Sequence, residues 1–226
     1  MRILALETVD QSGSVAALTG DRIVAQRDLD PQVRSAQSLA PTIAEVLENA
    51  RWNPREIELV AVAVGPGSFT GLRVGVTTAK MLAYAVGSQV LGVNALEAVA
   101  WQVPEGIDQI CVVVDAQREQ LFAAHFRRDF ASVWQWQEPA VLVDAQSWLA
   151  GLSAAEAISG PGLAKLANRL PGSVHVLERA LWSPRAVTVG RLAWQQYQSG
   201  RRDDVFTLVP QYFRPSAAEE KRQQAK

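Results

Sequence analysis

The stretch of this chain with the strongest chemical suggestion is Gly65-Pro66-Gly67-Ser68-Phe69-Thr70-Gly71, a glycine-rich passage between an apolar run and a long, almost uncharged segment. Glycine-rich turns that open a helix can hold phosphate, because the first backbone amides of a helix have no partner within it. Two phosphate chemistries can be checked by spacing. The dinucleotide fingerprint needs glycine where Thr70 stands, and the Walker A loop needs a lysine that is missing here. A tight strand-to-helix connection accounts for the glycines at least as well, with the Ser68 hydroxyl capping the helix. The remaining reactive inventory is thin: one cysteine, Cys111, and two histidines, His125 and His175. A single cysteine makes no internal disulfide, and this is a poor stock of soft metal ligands, so no metal site is expected. Both histidines lie in strand-like runs, where surface or strand-edge positions are expected before a general-base role. No serine or cysteine nucleophile with a neighbouring base can be assembled, so no catalytic residue is assigned. Trp134 and Trp136 alternate along one strand, which suggests packing before base stacking.

The elements around that loop follow from periodicity. Val60, Val62 and Val64 stand in a continuous apolar run, as a strand covered on both faces would. After Gly71 the positions Leu72, Gly75, Val76, Ala79, Ala83 and Val86 form one helical stripe, while Val74, Thr78, Met81 and Ala85 leave the other side almost apolar. Arg73 and Lys80 share its one polar edge. A helix without a solvated face is expected to be buried twice, against its own sheet and against something else. Upstream, 3–7, 14–18 and 22–29 read as a three-strand meander, and 35–50 as an amphipathic helix that Pro41 either bends or delays. Downstream come a strand at 89–93 and a helix at 95–103, ending at Pro104-Glu105-Gly106.

Beyond that point the order returns. Strands at 110–115, 121–126 and 133–137 form a second meander, a short helix follows at 146–152, and Gly160-Pro161-Gly162 repeats the earlier break. A weak helix at 163–170, a strand at 174–177 and a helix at 186–199 complete the second unit. The expected fold class is therefore α/β, a duplicated mixed sheet with helices packed on it. The units are 1–104 and 105–215, with 216–226 a charged tail too poor in apolar residues to order. With 22 Lys+Arg against 23 Asp+Glu, no global field draws the chain to nucleic acid. The chain enters a strand pattern at once, and no stretch reaches the ~18 apolar residues of a membrane span. A reducing cytoplasm and no membrane are expected.

A polar turn between the first two strands of each unit is similar to the ribonuclease-H-like arrangement of the actin, sugar kinase and heat-shock ATPase superfamily. The run GPGSFTGLRVGV after ELVAVAV, the opening ILALETVDQSGSVAAL, the segment VVVDAQREQLFAAHF and the late PQYFR resemble the TsaB (YeaZ-type) family of bacterial tRNA threonylcarbamoyladenosine biosynthesis. The resemblance covers nearly the whole chain. It implies a noncatalytic, activating role beside a catalytic paralogue, TsaD, which transfers a threonylcarbamoyl group to N6 of adenosine 37 in tRNAs reading ANN codons. It also implies a TsaE ATPase in the full complex, self-pairing when the chain is alone, tRNA contact only through the complex, and no cofactor of its own. The paralogue's metal-binding HxxxH pair corresponds here to Ala95 and Val99, which offer no lone pair; Asn94 and Glu97 alone would make a weak hard-metal site. Glu7, Thr8 and Asp10 occupy the turn that holds phosphate and magnesium in the superfamily's ATPases. Glu7 stands in place of the more usual aspartate, so any nucleotide site is expected to be vestigial.

The surface expected to meet the partner lies on the two helices of the first unit. Ala36, Ala40, Ile43, Ala44 and Leu47 come from the first helix, and Thr70, Gly71, Val74, Gly75, Thr78 and Met81 from the second. Small side chains would let helix backbones approach closely, and pairing with a second molecule would form a four-helix interface of about 800 Å² per partner. Gly75→Arg is expected to break that complex. Two other readings compete: an ATP-dependent kinase or ATPase using Glu7 and Asp10, and a glycoprotease-like metallohydrolase.

Overall fold

A computed structural model of the chain describes residues 1–10, 13–130, 133–153 and 156–212. The expected tail at 216–226, and Phe213 and Arg214 of PQYFR, lie outside the described residues. The fold consists of two tandem α/β units, each built on a mixed sheet.

The first sheet contains β1 (Arg2–Glu7), β2 (Ser14–Thr19), β3 (Arg22–Asp28), β4 (Leu59–Gly65) and β5 (Gln89–Asn94) in the order β3-β2-β1-β4-β5. The first three form an antiparallel meander, and β4 and β5 add in parallel. Every residue of β4 is buried, as its unbroken apolar run requires. Alternation divides the side chains of this sheet cleanly. Leu4, Leu6, Val60 and Val62 face helices α1 (Ser35–Ala50) and α2 (Phe69–Val86), whose Val46, Val76 and Ala79 complete one core. Ile3, Ala5, Ala61 and Leu91 face the opposite way into a second core. Helix α1 begins at Ser35 and continues through Pro41, which stands on its exposed side.

The second sheet contains β6 (Gln109–Gln117), β7 (Gln120–Arg128), β8 (Trp134–Trp136), β9 (Val141–Asp144), β10 (Ala157–Ser159) and β11 (His175–Val176). Its order is β11-β10-β6-β7-β8, with β9 also paired to β7. Strand β9 was not expected: its residues are mostly exposed and carry no alternation, so only the pairing with β7 makes it a strand. Helices α4 (Ala145–Ala150) and α5 (Leu163–Leu166) flank this sheet. The first glycines of the two Gly-Pro-Gly breaks share a φ, +122° at Gly65 and +119° at Gly160, a region open essentially to glycine, although the Gly65-Pro66 peptide is cis and the Gly160-Pro161 peptide is not. That match supports the duplication.

The helices are distributed differently from the expectation. Helix α6 (Ala186–Gln198), expected in the second unit, buries Ala186, Val189, Leu192 and Ala193 on the first sheet. Helix α3 (Ala95–Ala100) sends Ala95 and Ala98 to the first sheet but Leu96, Val99 and Ala100 into the core of the second. The two halves are thus joined through a shared helical layer. Among the described residues no helix is long and apolar enough to cross a membrane.

Candidate functional site

The loop and helix singled out by sequence meet the turn after β1. Gly67, Gly71 and Gly75 are four residues apart, and all three face Thr8 and Val9. A Cβ at Gly71 would lie 1.8 Å from the Thr8 carbonyl oxygen, one at Gly75 2.2 Å from Thr8 Oγ1, and one at Gly67 2.6 Å from Val9 Cβ. The groove left by three absent side chains is filled by the chain itself. Thr8 Oγ1 donates to the Gly71 carbonyl at 2.7 Å, and the Ser68 N–H donates to the Val9 carbonyl at 2.8 Å.

This corrects the expected interface. Gly71 and Gly75 do not lie on the outward face of α2, and Ile43 and Leu47 of α1 are buried in the first unit's own core. Val74 and Thr78 are half-buried. Ala36, Ala40, Ala44, Thr70 and Met81 are exposed. Gly75→Arg would therefore disturb the packing on Thr8 before it reached any partner. Ser68 caps α2 as expected, its Oγ accepting from the Gly71 N–H at 3.2 Å. Ser68→Ala should lower stability by about 1 kcal/mol in urea denaturation, with an unchanged midpoint denying the cap any weight.

Glu7, Thr8 and Asp10 are brought together, but each is turned to an internal use. Glu7 is fully buried: its Oε1 accepts from the Val9 N–H at 2.6 Å and the Asp10 N–H at 3.3 Å. Its Oε2 has no hydrogen-bond partner among the described residues. Burial pushes this carboxyl up to about 8, outweighing the two amide bonds, so it is largely protonated at neutral pH. Asp10 accepts a hydrogen bond from Ser183 Oγ, and the segment following Ser183 is fastened by Ala186 N–H to Ser14 Oγ at 2.9 Å and Arg185 to Asp28 at 2.7 Å. A carboxylic acid held neutral and inward, beside glycines already occupied by Thr8, fits neither magnesium nor a phosphate chain.

The stretch matching the metal-binding helix is also committed to packing. Ala95 and Val99 are buried, and Asn94 caps α3, its Oδ1 accepting from Leu96 and Glu97 N–H at 2.9 and 3.3 Å. Burial pushes the Glu97 carboxyl up.

What α2 leaves outward is an apolar strip that the sequence reading only partly located. Met81 and Tyr84 are 65% and 67% exposed, and the strip continues onto the segment after α6, where Phe206 and Val209 are 74% and 62% exposed. The Tyr84 and Phe206 rings meet edge-on with centroids 5.9 Å apart, and the Phe69 and Tyr212 rings lie tilted by 33° at 4.8 Å. Arg73 and Lys80, the polar edge of α2, hold this segment down. Lys80 Nζ donates to the Phe206 and Leu208 carbonyls at 3.1 and 2.9 Å, and Arg73 Nε donates to Tyr212 Oη at 3.0 Å. Phe206 and Val209 have no periodic signal in the sequence; only their folding back onto α2 reveals them. Trp134 is buried in the second unit's core and Trp136 meets the Phe126 ring at a tilt of 51°, while His175 is exposed at the start of β11.

Comparison with known proteins gives a consistent picture. A family model described as "TsaD: tRNA N6-adenosine threonylcarbamoyltransferase" matches residues 31–222. The chain is 30% identical over 141 residues to the tRNA threonylcarbamoyladenosine biosynthesis protein TsaB of Escherichia coli, covering 61% of this chain and 60% of that protein. It is 29% identical over 127 residues to TsaB of Bacillus subtilis, covering 56% of each. These alignments span less than two thirds of the curated relatives' length. A solved structure of YeaZ from Pseudomonas aeruginosa superposes with a TM-score of 0.80 at 22% identity, covering 94% of this chain and 99% of that one, a likeness of fold.

Proposed function

Because this chain belongs to the TsaD family, described as tRNA N6-adenosine threonylcarbamoyltransferase, and is of the TsaB type within it, we propose that it is the noncatalytic, activating subunit of a tRNA-modifying complex. In this reading it pairs with a catalytic TsaD-type paralogue that transfers a threonylcarbamoyl group to N6 of adenosine 37 in tRNAs reading ANN codons. It works in the cytoplasm with a TsaE-type ATPase in the full complex, meets tRNA only through its partners, and pairs with itself when alone. The role calls for no nucleotide or cofactor on this chain.

The observation that carries the reading is the exposed strip Phe69, Met81, Tyr84, Phe206 and Val209. Clustered exposed aromatic and aliphatic side chains are characteristic of the buried centre of protein interfaces. The occupied glycine groove and inward Glu7 favour this role over an ATPase. The buried Ala95 and Val99 favour it over a metallohydrolase. The decisive experiment is to purify the chain, its paralogue and the ATPase, and measure modification of tRNA with each omitted in turn. Activity undiminished without this chain, or retained without the paralogue, would refute the proposal. The combined Met81→Asp and Tyr84→Asp variant should keep the fold, since both side chains are exposed, yet weaken the complex by a hundredfold or more, as expected when charge is forced into an apolar interface. Size-exclusion chromatography and calorimetry with the paralogue check this, and unchanged affinity would move the interface elsewhere.

A further inference from the structure

The second sheet gathers the only cysteine of the chain, one of its two histidines and a carboxylate, although the three are far apart in sequence. Cys111 of β6 and His125 of β7 are directly opposite in the antiparallel register. Ile158 of β10 is opposite Cys111 in the parallel register, so the two-residue period places Glu156 on the same face. The potential ligand atoms of all three lie within 4.8 Å of one another. His125 Nδ1 is 2.8 and 3.1 Å from the two oxygens of Glu156.

We propose that Cys111, His125 and Glu156 form a binding site for a borderline-soft divalent cation, zinc foremost, with a water molecule as fourth ligand. Sulfur, imidazole nitrogen and carboxylate oxygen are the donor set zinc accepts, at about 2.3, 2.0–2.1 and 2.0–2.2 Å. A tetrahedral site with those radii sets its donors roughly 3.2–3.8 Å apart, so the His125–Glu156 pair must part slightly from its hydrogen-bond distance to admit the ion, within a cluster whose donors already lie within 4.8 Å of one another. The sulfur excludes magnesium and calcium, which take oxygen ligands. Exposure suits entry from one side: Cys111 is 1% exposed, whereas the side chains of His125 and Glu156 are 43% and 24% exposed. The two partly exposed arms can adjust around an ion while the buried sulfur anchors it, and the open side admits the water. Without an ion the same arms hold each other as a hydrogen-bonded pair, and the adjacent Cys111 and Glu156 push the imidazole up to about 10. A bound cation would replace that proton and clasp β6, β7 and the approach to β10 together. This site is separate from the strip on α2 and does not depend on the role proposed above.

The test uses the whole protein, stripped with a chelator and titrated with Co²⁺ as a spectroscopic probe, then with Zn²⁺ in competition. One equivalent should produce a thiolate-to-cobalt absorption in the near ultraviolet that Zn²⁺ abolishes, together with a rise in melting temperature under Zn²⁺. Cys111→Ser should lose the absorption, and His125→Ala and Glu156→Gln should weaken Zn²⁺ binding tenfold or more. Cys111 is in the core, so Glu156→Gln, at a partly exposed position, keeps the test decisive if the serine variant fails to fold. Absence of the sulfur band in the unaltered protein, or equal Zn²⁺ affinity in the unaltered and Glu156→Gln proteins, would overturn the site.

Discussion

Gly71→Ala is expected to destabilise the protein by about 3 kcal/mol or more, the upper range for overpacking a filled interior. Helix propensity argues the other way, because alanine in place of glycine inside a helix favours the helix by about 1 kcal/mol. Packing decides the sign. The added methyl would lie 1.8 Å from the Thr8 carbonyl oxygen, and that oxygen belongs to backbone continuous with β1, buried from Ile3 to Glu7, rather than to the end of a flexible side chain. Relief would require α2 to lift from the turn, breaking the Thr8 Oγ1 to Gly71 bond and the Ser68 to Val9 bond together. Urea denaturation followed by circular dichroism measures the effect. A midpoint equal to or above that of the unaltered protein would show that the groove is not filled as described.

The second large effect is a pH dependence set by Glu7. Its carboxyl titrates near 4.5 in the unfolded chain but at about 8 in the folded protein, because burial disfavours its charged form. Between those values the folded state keeps a proton that the unfolded state has lost. Stability therefore falls as pH rises from about 4.5 to about 8, and this group contributes no further slope outside that window. At 1.36 kcal/mol per pKa unit, the loss across the window is on the order of 5 kcal/mol. Glu7→Gln removes the titrating group while keeping an oxygen to accept from the Val9 N–H. Its stability should lack that slope, so the variant gains on the unaltered protein as the solution becomes alkaline. Chemical denaturation at pH 5, 7 and 9 compares the two; parallel curves would mean that Glu7 is ionised or solvated in the fold.

The fully buried Glu7 also illustrates what kind of information a sequence carries. That a glutamate stands at the end of an apolar strand is plain from MRILALET. That one oxygen is bonded by two amides and the other is buried without a partner among the described residues follows from where the Thr8-Val9 turn presses against α2. The same holds for the glycines. Their four-residue spacing was legible, but spacing alone cannot tell a face that admits another molecule from one that admits the chain's own turn. Gly71 and Gly75 therefore read as an outward, helix-pairing surface, and the structure turns them inward.

The sequence by itself determined the elements whose periodicity is set by burial on a defined face. Helix α1 over Ser35–Ala50, the two meanders, the continuously buried β4 and the paired Gly-Pro-Gly breaks were all legible, because each residue's burial there depends mainly on its own element. The motifs within those elements pointed to the family as well. Tertiary structure alone decided the placement of α6 on the first sheet, the fastening of Phe206 and Tyr212 beside α2, and the meeting of Cys111, His125 and Glu156. Those features depend on strand order and chain return, which join residues tens to more than a hundred positions apart. No local pattern of polarity records such distances, because the energy that fixes them is released only when whole faces close on one another.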